Sequence, residues 1–161
     1  KVSEVTMSYY NAGHKELKAI NSVYPGIETP DDLYEALMKC WTRETCTERL
    51  RHKWSENNKT AGQCAVTAFL VQDIFGGEIY EMKTARGLHC YNVIDGVAID
   101  LACEQFGENA KNLVYENNPI QPPREERMSQ PGKKERYELL KQNLERWCAC
   151  VHNTTTKGIE K

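Results

Sequence analysis

The sequence predicts an α+β fold in which one buried helix packs on a small antiparallel sheet. The first observation is the apolar run of residues 64–75, which has no wide polar face and ends at a double glycine, as an enclosed helix does. The second is an Asp-Gly pair between two runs rich in aromatic and β-branched residues, 89–94 and 97–101, which predicts a hairpin with a type I′ turn. A strand over residues 78–82 brings the sheet to at least three strands.

Two amphipathic helices are predicted to cover this core. The first follows Thr29, a capping residue with a proline next to it, and runs to Trp41. The second spans residues 134–149 and carries one apolar stripe. Partial helical periodicity predicts a further helix over residues 15–23.

The length of 161 residues is enough for a real core and too short for two comfortable domains. Residues 1–161 are therefore interpreted as a single domain, with 1–26 and 153–161 as peripheral or frayed segments. Within it, residues 42–60 are predicted to be polar and irregular, and residues 124–132 to be a charged loop. This loop is interpreted as a solvated linker, with a segment folded over the cleft as the alternative.

The charge balance excludes some classes of partner. The formal net charge of -2 indicates neither nucleic acid nor an anionic membrane as partner, and no stretch approaches the ~20 apolar residues of a membrane span. The seven cysteines are an odd number in a chain of a size that needs no disulfides, which favours reduced thiols. We expect a cytoplasmic protein.

Cys64 begins the predicted buried helix. Unpaired backbone amides and the positive end of the helix dipole favour a thiolate there, which lowers the pKa of a cysteine and makes it a better nucleophile. The same amides suit the binding of an oxyanion. The alternative is that Cys64 is simply a small buried hydrophobic side chain.

The Asp-Gly turn fixes the register of the predicted hairpin. Ile94 then faces Val97, and Tyr91 faces Asp100. Because side chains alternate between faces, His89 and Asp100 share one face as diagonal neighbours, roughly 7 Å apart. An imidazole oriented by a carboxylate beside a helix-start cysteine is the arrangement that thiol-based acyl transfer needs.

The tripeptide Gly-Gln-Cys64 at the start of a buried helix, with His89 on a later strand and Asp100 on the next, resembles the core of papain-like and transglutaminase-like thiol enzymes. The resemblance implies a fold of that type and a catalytic triad of these three residues. The sequence departs from transglutaminases in having Ala65 where they have an aromatic residue, and no calcium-binding segment is recognisable.

Several linked motifs also resemble the YunG-like family of small bacterial proteins. They are Gly-Gln-Cys-Ala-Val-Thr-Ala at 62–68, Gln-Asp-Ile-Phe-Gly-Gly-Glu at 72–78, Gly-x-His-x-x-Asn at 87–92 and Asp-Leu-x-x-x-Gln-Phe at 100–106. The similarity extends from about Trp41 to Leu140. This resemblance implies no particular activity.

The segment before the cysteine offers candidates for substrate binding. In papain-like folds this segment lines the cleft and can donate a side-chain amide to the oxyanion. Gln63 is the first choice, with Asn57 and Asn58 as alternatives, and Trp54 is a candidate substrate contact. Each of these residues also fits an ordinary loop or core role.

The sequence thus predicts a cysteine-dependent amide or isopeptide hydrolase, or an acyltransferase, acting through a thioester on Cys64. No cofactor is expected, the substrate is a peptide, a protein or a small amide, and the oligomeric state stays open. One alternative is a non-catalytic binding module of the same fold. Another is a zinc-stabilised interaction protein, for which the possible ligands are Cys40, Cys46, Cys148, Cys150 and His152.

Overall fold

The computed structural model describes residues 9–21 and 23–159, with side chains described as far as residue 152. In chain order the elements are helix α1 (Pro30–Cys40), a first 3-10 helix (Glu48–Lys53), helix α2 (Cys64–Phe75), strands β1 (Glu78–Thr84), β2 (Gly87–Ile94) and β3 (Val97–Ile99), a second 3-10 segment (Cys103–Asn112), helix α3 (Arg124–Met128) and helix α4 (Lys133–Ile159). The strands form an antiparallel sheet in the order β1-β2-β3. The predicted α+β class is confirmed.

Helix α2 lies at the centre of the core. It packs on β2 and β1 and against α4, which explains why it has no wide polar face. The side-chain amide of Asn92 on β2 donates a 3.0 Å hydrogen bond to the carbonyl of Ala68 on α2. This contact fixes the helix on the sheet and, with it, the position of Cys64.

The β2–β3 hairpin has the predicted turn. Asp95 and Gly96 have φ values of 49° and 79°, both positive as a type I′ turn requires. Ile94 pairs with Val97, so the predicted register is confirmed.

Strand β3 is shorter than the predicted run of residues 97–101 and ends at Ile99. The next residue, Asp100, pairs its backbone with Tyr10 in an isolated bridge instead of continuing the ladder with β2. The chain then turns into the second 3-10 segment. Asp100 therefore lies at a junction between three segments.

Helix α1 begins with the predicted cap. Thr29 accepts a hydrogen bond from the backbone N–H of Asp32, whose carboxylate accepts one from the backbone N–H of Thr29, which is a capping box. Helix α4 extends to Ile159, well beyond the predicted end at residue 149, because neither proline nor glycine interrupts it before Gly158. In the described part of the chain, no helix combines the length and the apolar character that crossing a membrane requires.

The helix predicted over residues 15–23 is absent from those of its residues that the structure describes. The backbone N–H groups of Ala19 and Ile20 donate instead to the carbonyls of Glu28 and Ile74, at 2.9 and 2.7 Å. Hydrogen bonds to distant residues thus replace the helical ones. The prediction was wrong because partial periodicity carries no information about such long-range pairing.

Residues 124–132 differ from the predicted solvated loop, since they contain helix α3 and pack on the domain. Arg124 forms a 2.8 Å ion pair with Asp73 on α2, and Arg127 forms a 2.7 Å ion pair with Glu81 on β1. The carboxylates of the core elements thus bind this segment. It leads directly into the start of α4 beside the cysteine.

Replacing Gly77 by alanine is expected to destabilise the fold more than replacing Gly96. Both glycines have positive φ, but a Cβ at Gly77 would lie 2.3 Å from the carbonyl oxygen of Val93, whereas a Cβ at Gly96 would meet nothing within 4 Å. Both substitutions strain the backbone by about 1–3 kcal/mol, and overpacking adds about 1–3 kcal/mol at Gly77. Urea unfolding measures the difference, and equal losses would contradict this packing.

Candidate active site

The backbone turns tightly just before helix α2. Gly62 has a φ of +66°, and a Cβ at this position would lie 2.5 Å from Sγ of Cys46. A side chain is therefore excluded there by both conformation and space. The turn places Cys64 at the first residue of α2, where the first backbone N–H groups have no helical partner and the helix dipole is positive.

The surroundings of Cys64 lower the pKa of its thiol well below the ordinary value. The largest contribution is a hydrogen bond from the thiol of Cys90, and burial opposes it. A hydrogen bond from His89, the charge of His89 and the backbone N–H of Cys90 lower the pKa further. These surroundings favour the thiolate of Cys64 over the thiol and place it beside the imidazole of His89.

His89 on β2 is bonded to Asp100, the residue that follows β3. Nε2 of the imidazole lies 2.6 Å from Oδ2 of the carboxylate, and each side chain is 1% exposed. Burial lowers the pKa of His89, but the charge and hydrogen bond of Asp100, together with those of Cys64, raise it to about 10. The imidazole is therefore protonated at neutral pH.

The two nitrogens of His89 have different partners. Because Nε2 donates to Asp100, Nδ1 is the nitrogen left for Cys64, and the amide nitrogen of Gln105 lies 3.5 Å from it. The ring of Phe106 packs edge-on against the imidazole, with centroids 4.8 Å apart. The imidazole can exchange a proton with the sulfur while its other side stays fixed.

Asp100 is held by two donors besides His89. The hydroxyl of Tyr115 donates to Oδ2 at 2.6 Å, and the backbone N–H of Ala102 donates to Oδ1 at 3.1 Å. Burial and the charge of Asp100 raise the pKa of Tyr115, so this hydroxyl remains a donor. Tyr115 was not predicted from the sequence, because it follows the second 3-10 segment and reaches the site only through the tertiary fold.

Cys90 is a second residue of the site that was not predicted from the sequence. Strand alternation places it on the face of β2 that carries Asn92 against helix α2. The hydrogen bond to Cys64, followed by burial, raises the pKa of Cys90 well above the ordinary value, so it remains a thiol and donates to the thiolate. The predicted register already contained a signal, because it puts Cys90 on the opposite face of β2 from His89, and that is the face on which helix α2 packs.

Replacing Cys90 by alanine is expected to raise the pKa of Cys64 by about 1–2 units. A hydrogen bond to a charged group contributes about 1.5–3 kcal/mol, and one pKa unit corresponds to about 1.4 kcal/mol. The measurement is the rate of iodoacetamide modification of Cys64 against pH, followed by mass spectrometry. Cys148→Ala is the control, since this buried thiol lies on α4 near Cys40. An unchanged midpoint in Cys90→Ala would contradict the role given to Cys90.

Gln105 connects three parts of the site. Its Oε1 accepts a 3.4 Å hydrogen bond from the backbone N–H of Gly62, and its Nε2 donates to the carbonyl of Ala102 at 3.0 Å. The same nitrogen lies 3.5 Å from the imidazole of His89. Gln105 therefore presents a side-chain amide beside the cysteine, where the sequence analysis expected Gln63.

Gln63 lies outside the cleft, contrary to the prediction. The side chain is completely buried, its amide nitrogen donates to the carbonyl of Thr42 at 3.0 Å, and its Oε1 accepts from the hydroxyl of Thr45 at 2.9 Å. Both polar ends are thus satisfied by the loop after α1. Cys64 faces the cleft, whereas the side chain of Gln63, one residue earlier, points into the loop after α1.

The other predicted substrate contacts also lie away from the cysteine. Asn57 is exposed, and Asn58 donates to the carbonyl of Lys53 at 3.0 Å. The indole N–H of Trp54 donates to the carbonyl of Lys59 at 3.0 Å. These hydrogen bonds close local turns, so the segment folds back on itself before it reaches α2.

Cys64 opens onto a cleft with a volume of about 340 Å³. Cys64 as a residue is partly exposed, and His89, Cys90 and Gln105 line the cleft beside it. The remaining walls come from the first 3-10 helix, the turn between β1 and β2, and the start of α4. The cleft therefore connects Cys64 with solvent.

The possible zinc ligands do not come together. The described residues contain no group of three His, Cys, Asp or Glu side chains placed to hold a metal ion. Cys148 is buried and Cys150 is exposed, because α4 continues through both and residues two apart on a helix point to different faces. Cys46 lies elsewhere, against Gly62.

The sequence matches the profile of the family described as "YunG protein" over residues 29–149. The chain belongs to this family. The "Uncharacterized protein YunG" of Bacillus subtilis (strain 168) is 40% identical to it over 70 residues, which cover 44% of this chain and 56% of the relative. The chain thus spans little more than half the length of this curated relative. No solved structure matches the chain.

Proposed function

We propose that the protein is a cysteine-dependent amide or isopeptide hydrolase, or an acyltransferase, with a papain-like or transglutaminase-like core. The observation that carries the proposal is the connected series of thiol, imidazole and carboxylate formed by Cys64, His89 and Asp100, of which Cys64 and His89 line the cleft. A nucleophile beside a base that a third group orients is the arrangement of covalent acyl transfer.

The first half of the reaction forms a thioester. The thiolate of Cys64 attacks the carbonyl carbon of the amide, a carbon–sulfur bond forms, and negative charge moves to the carbonyl oxygen. When the carbon–nitrogen bond breaks, the imidazolium of His89 gives its Nδ1 proton to the departing amine. Asp100 keeps the ring oriented through Nε2 during this step.

The second half releases the acyl group. Water attacks the thioester carbon through its oxygen, or an acceptor amine attacks it through its nitrogen. As it does so, the neutral imidazole of His89 accepts a proton from the attacking molecule. The carbon–sulfur bond breaks, and the pair of thiolate and imidazolium is restored. Water gives hydrolysis, and an amine gives acyl transfer.

The oxyanion is stabilised by donors at the helix start. The backbone N–H of Cys64 belongs to the first turn of α2, where amides have no helical partner. The second donor is the amide of Gln105, which replaces Gln63 in the proposal because Gln63 is bonded inside the loop after α1. Loss of one such donor lowers turnover by about 10²–10³ in other acyl-transfer enzymes.

The alternative is a non-catalytic binding module of the same fold. A Cys64 thiol that is shut off from solvent, or that lies far from His89, would support a binding module. In this protein Cys64 is partly exposed and within hydrogen-bonding reach of His89, which supports an enzyme.

The test is to trap the thioester and to count turnovers. The protein is incubated with peptides that carry glutamine side-chain amides or lysine isopeptide bonds, and mass spectrometry follows acyl adducts on Cys64 and the released amine or ammonia. We expect more than one equivalent of product from the natural sequence and from Cys150→Ala, and none from Cys64→Ala. Equal turnover by Cys64→Ala would contradict the proposal.

A further inference from the structure

The walls of the cleft above Cys64 are rich in positive charge. The basic side chains that line it are Arg49, Arg86, Arg127, Lys133 and Arg136. Glu81 is the one acidic residue among the described residues that line the cleft. Arg127 donates two hydrogen bonds to its carboxylate, of 2.8 and 2.7 Å. The other four basic side chains therefore face a cleft with no unneutralised carboxylate.

None of these four cations forms an ion pair within the part of the chain that the structure describes. Their hydrogen bonds go to neutral acceptors. Arg49 donates to the carbonyl of Arg86 at 3.3 Å, Arg86 donates to the carbonyl of Gln105 at 2.9 Å, and Lys133 donates to the side chain of Gln130. Their positive charge remains available to a ligand.

Lys133 and Arg136 are the two partly buried members of this group, three residues apart on α4. Burial lowers the pKa of both, and repulsion from neighbouring arginines lowers it further. The carboxylates of Glu48 and Glu135 raise the pKa of Arg136 in part. The sulfurs of Cys64 and Cys90 do the same for Lys133. The two positive charges of Lys133 and Arg136 are partly removed from water and repel each other, which costs free energy. An anion bound between them offsets this cost.

The basic cleft is not a consequence of composition. The chain as a whole has a formal net charge of -2, so positive charge is concentrated at the site while negative charge dominates elsewhere. A cleft lined by one sign of charge focuses the field and raises the local concentration of oppositely charged ligands.

We propose that the substrate carries an anionic group, a carboxylate or a phosphate, close to the carbonyl that Cys64 attacks. Lys133 and Arg136 bind this group and thereby position the carbonyl at the sulfur. The inference rests on the proposed function, since it specifies the substrate class of the same site. It also predicts discrimination against cationic amides.

The test compares two alkylating reagents of different charge on the intact protein. In both iodoacetate and iodoacetamide the thiolate displaces iodide, so the ratio of their rates on Cys64 reports the local charge. We expect this ratio to exceed that of N-acetylcysteine by about 10-fold or more, and to fall as salt is added. Mass spectrometry assigns the modification to Cys64.

Because the imidazolium of His89 also attracts an anion, the deciding comparison is between variants. Lys133→Gln and Arg136→Gln are expected to lower the rate ratio several-fold, while iodoacetamide continues to modify Cys64. Lys141→Gln is the matched control, since this lysine lies on the same helix beside Glu138 and outside the cleft. Inorganic phosphate and glutarate are added as competitors, and the one that slows modification identifies the anion.

The outcomes separate this inference from the proposed function. A rate ratio that is equal in the natural sequence, Lys133→Gln and Arg136→Gln, with no protection by either anion, would overturn the anionic substrate and leave the thiol enzyme standing. A Cys64 that reacts with neither reagent would overturn the proposed function and this inference together.

Discussion

Replacing His89 by alanine is expected to slow the alkylation of Cys64 by iodoacetamide by about 10- to 1000-fold at mildly acidic pH. An opposite charge within hydrogen-bonding reach shifts a pKa by about 1–3 units, and His89 supplies such a charge to the sulfur. Since the thiolate is the reactive form, its fraction sets the rate, and each unit of increase in pKa lowers that fraction up to tenfold. Site-resolved mass spectrometry gives the rate for Cys64 alone.

Two histidines outside the cleft provide controls for this prediction. His14 is bonded to Glu16 and His52 lies on the first 3-10 helix, both outside the cleft. His14→Ala and His52→Ala are expected to leave the alkylation rate unchanged. If His89→Ala reacts as fast as these controls, the imidazole does not hold Cys64 as a thiolate.

Replacing Asp100 by alanine is expected to destabilise the protein by about 3–5 kcal/mol, because it leaves a buried imidazolium without its partner. Tyr115→Phe removes one donor to the same carboxylate and should destabilise by a smaller amount, about 1.5–3 kcal/mol. Urea unfolding measures both. A loss below about 0.5 kcal/mol in Asp100→Ala, the range of ordinary surface substitutions, would show that the pair is not formed.

The pH dependence of this loss follows from His89. Its pKa rises from ~6.5 in the unfolded chain to about 10 in the folded protein, so the stabilisation is complete below about pH 6.5 and is lost as the pH rises through about 10. The stability difference between the natural sequence and Asp100→Ala should therefore narrow between about pH 6.5 and 10. A difference that widens over this window would contradict the assignment.

The strand position of His89 and the shared face of His89 and Asp100 were predictable because local rules determine them, although Asp100 itself lies just beyond the end of β3. A two-residue turn at Asp95 and Gly96 leaves one register, and that register puts both side chains on one face. The start of α2 at Cys64 was predictable in the same way, from the polarity change and the glycine before it. Each of these inferences needed only neighbouring residues.

The remaining parts of the site depend on contacts between distant segments. Gln63 turns away because Thr42 and Thr45, about twenty residues earlier, accept and donate its hydrogen bonds. Lys133 and Arg136 have the sequence of an ordinary solvated helix start, and they face the cleft because α4 packs against α2. No local pattern encodes which side chain a remote segment will meet.

The most direct test of the central claim is the ionisation state of His89, measured by nuclear magnetic resonance of isotope-labelled histidine nitrogens. The chain has four histidines, and His89→Ala assigns the signal. We expect both nitrogens of His89 to carry protons at neutral pH and the ring to titrate at about 10. A neutral His89 at neutral pH, titrating near the ordinary value of ~6.5, would contradict the pair of thiolate and imidazolium on which the proposed function rests.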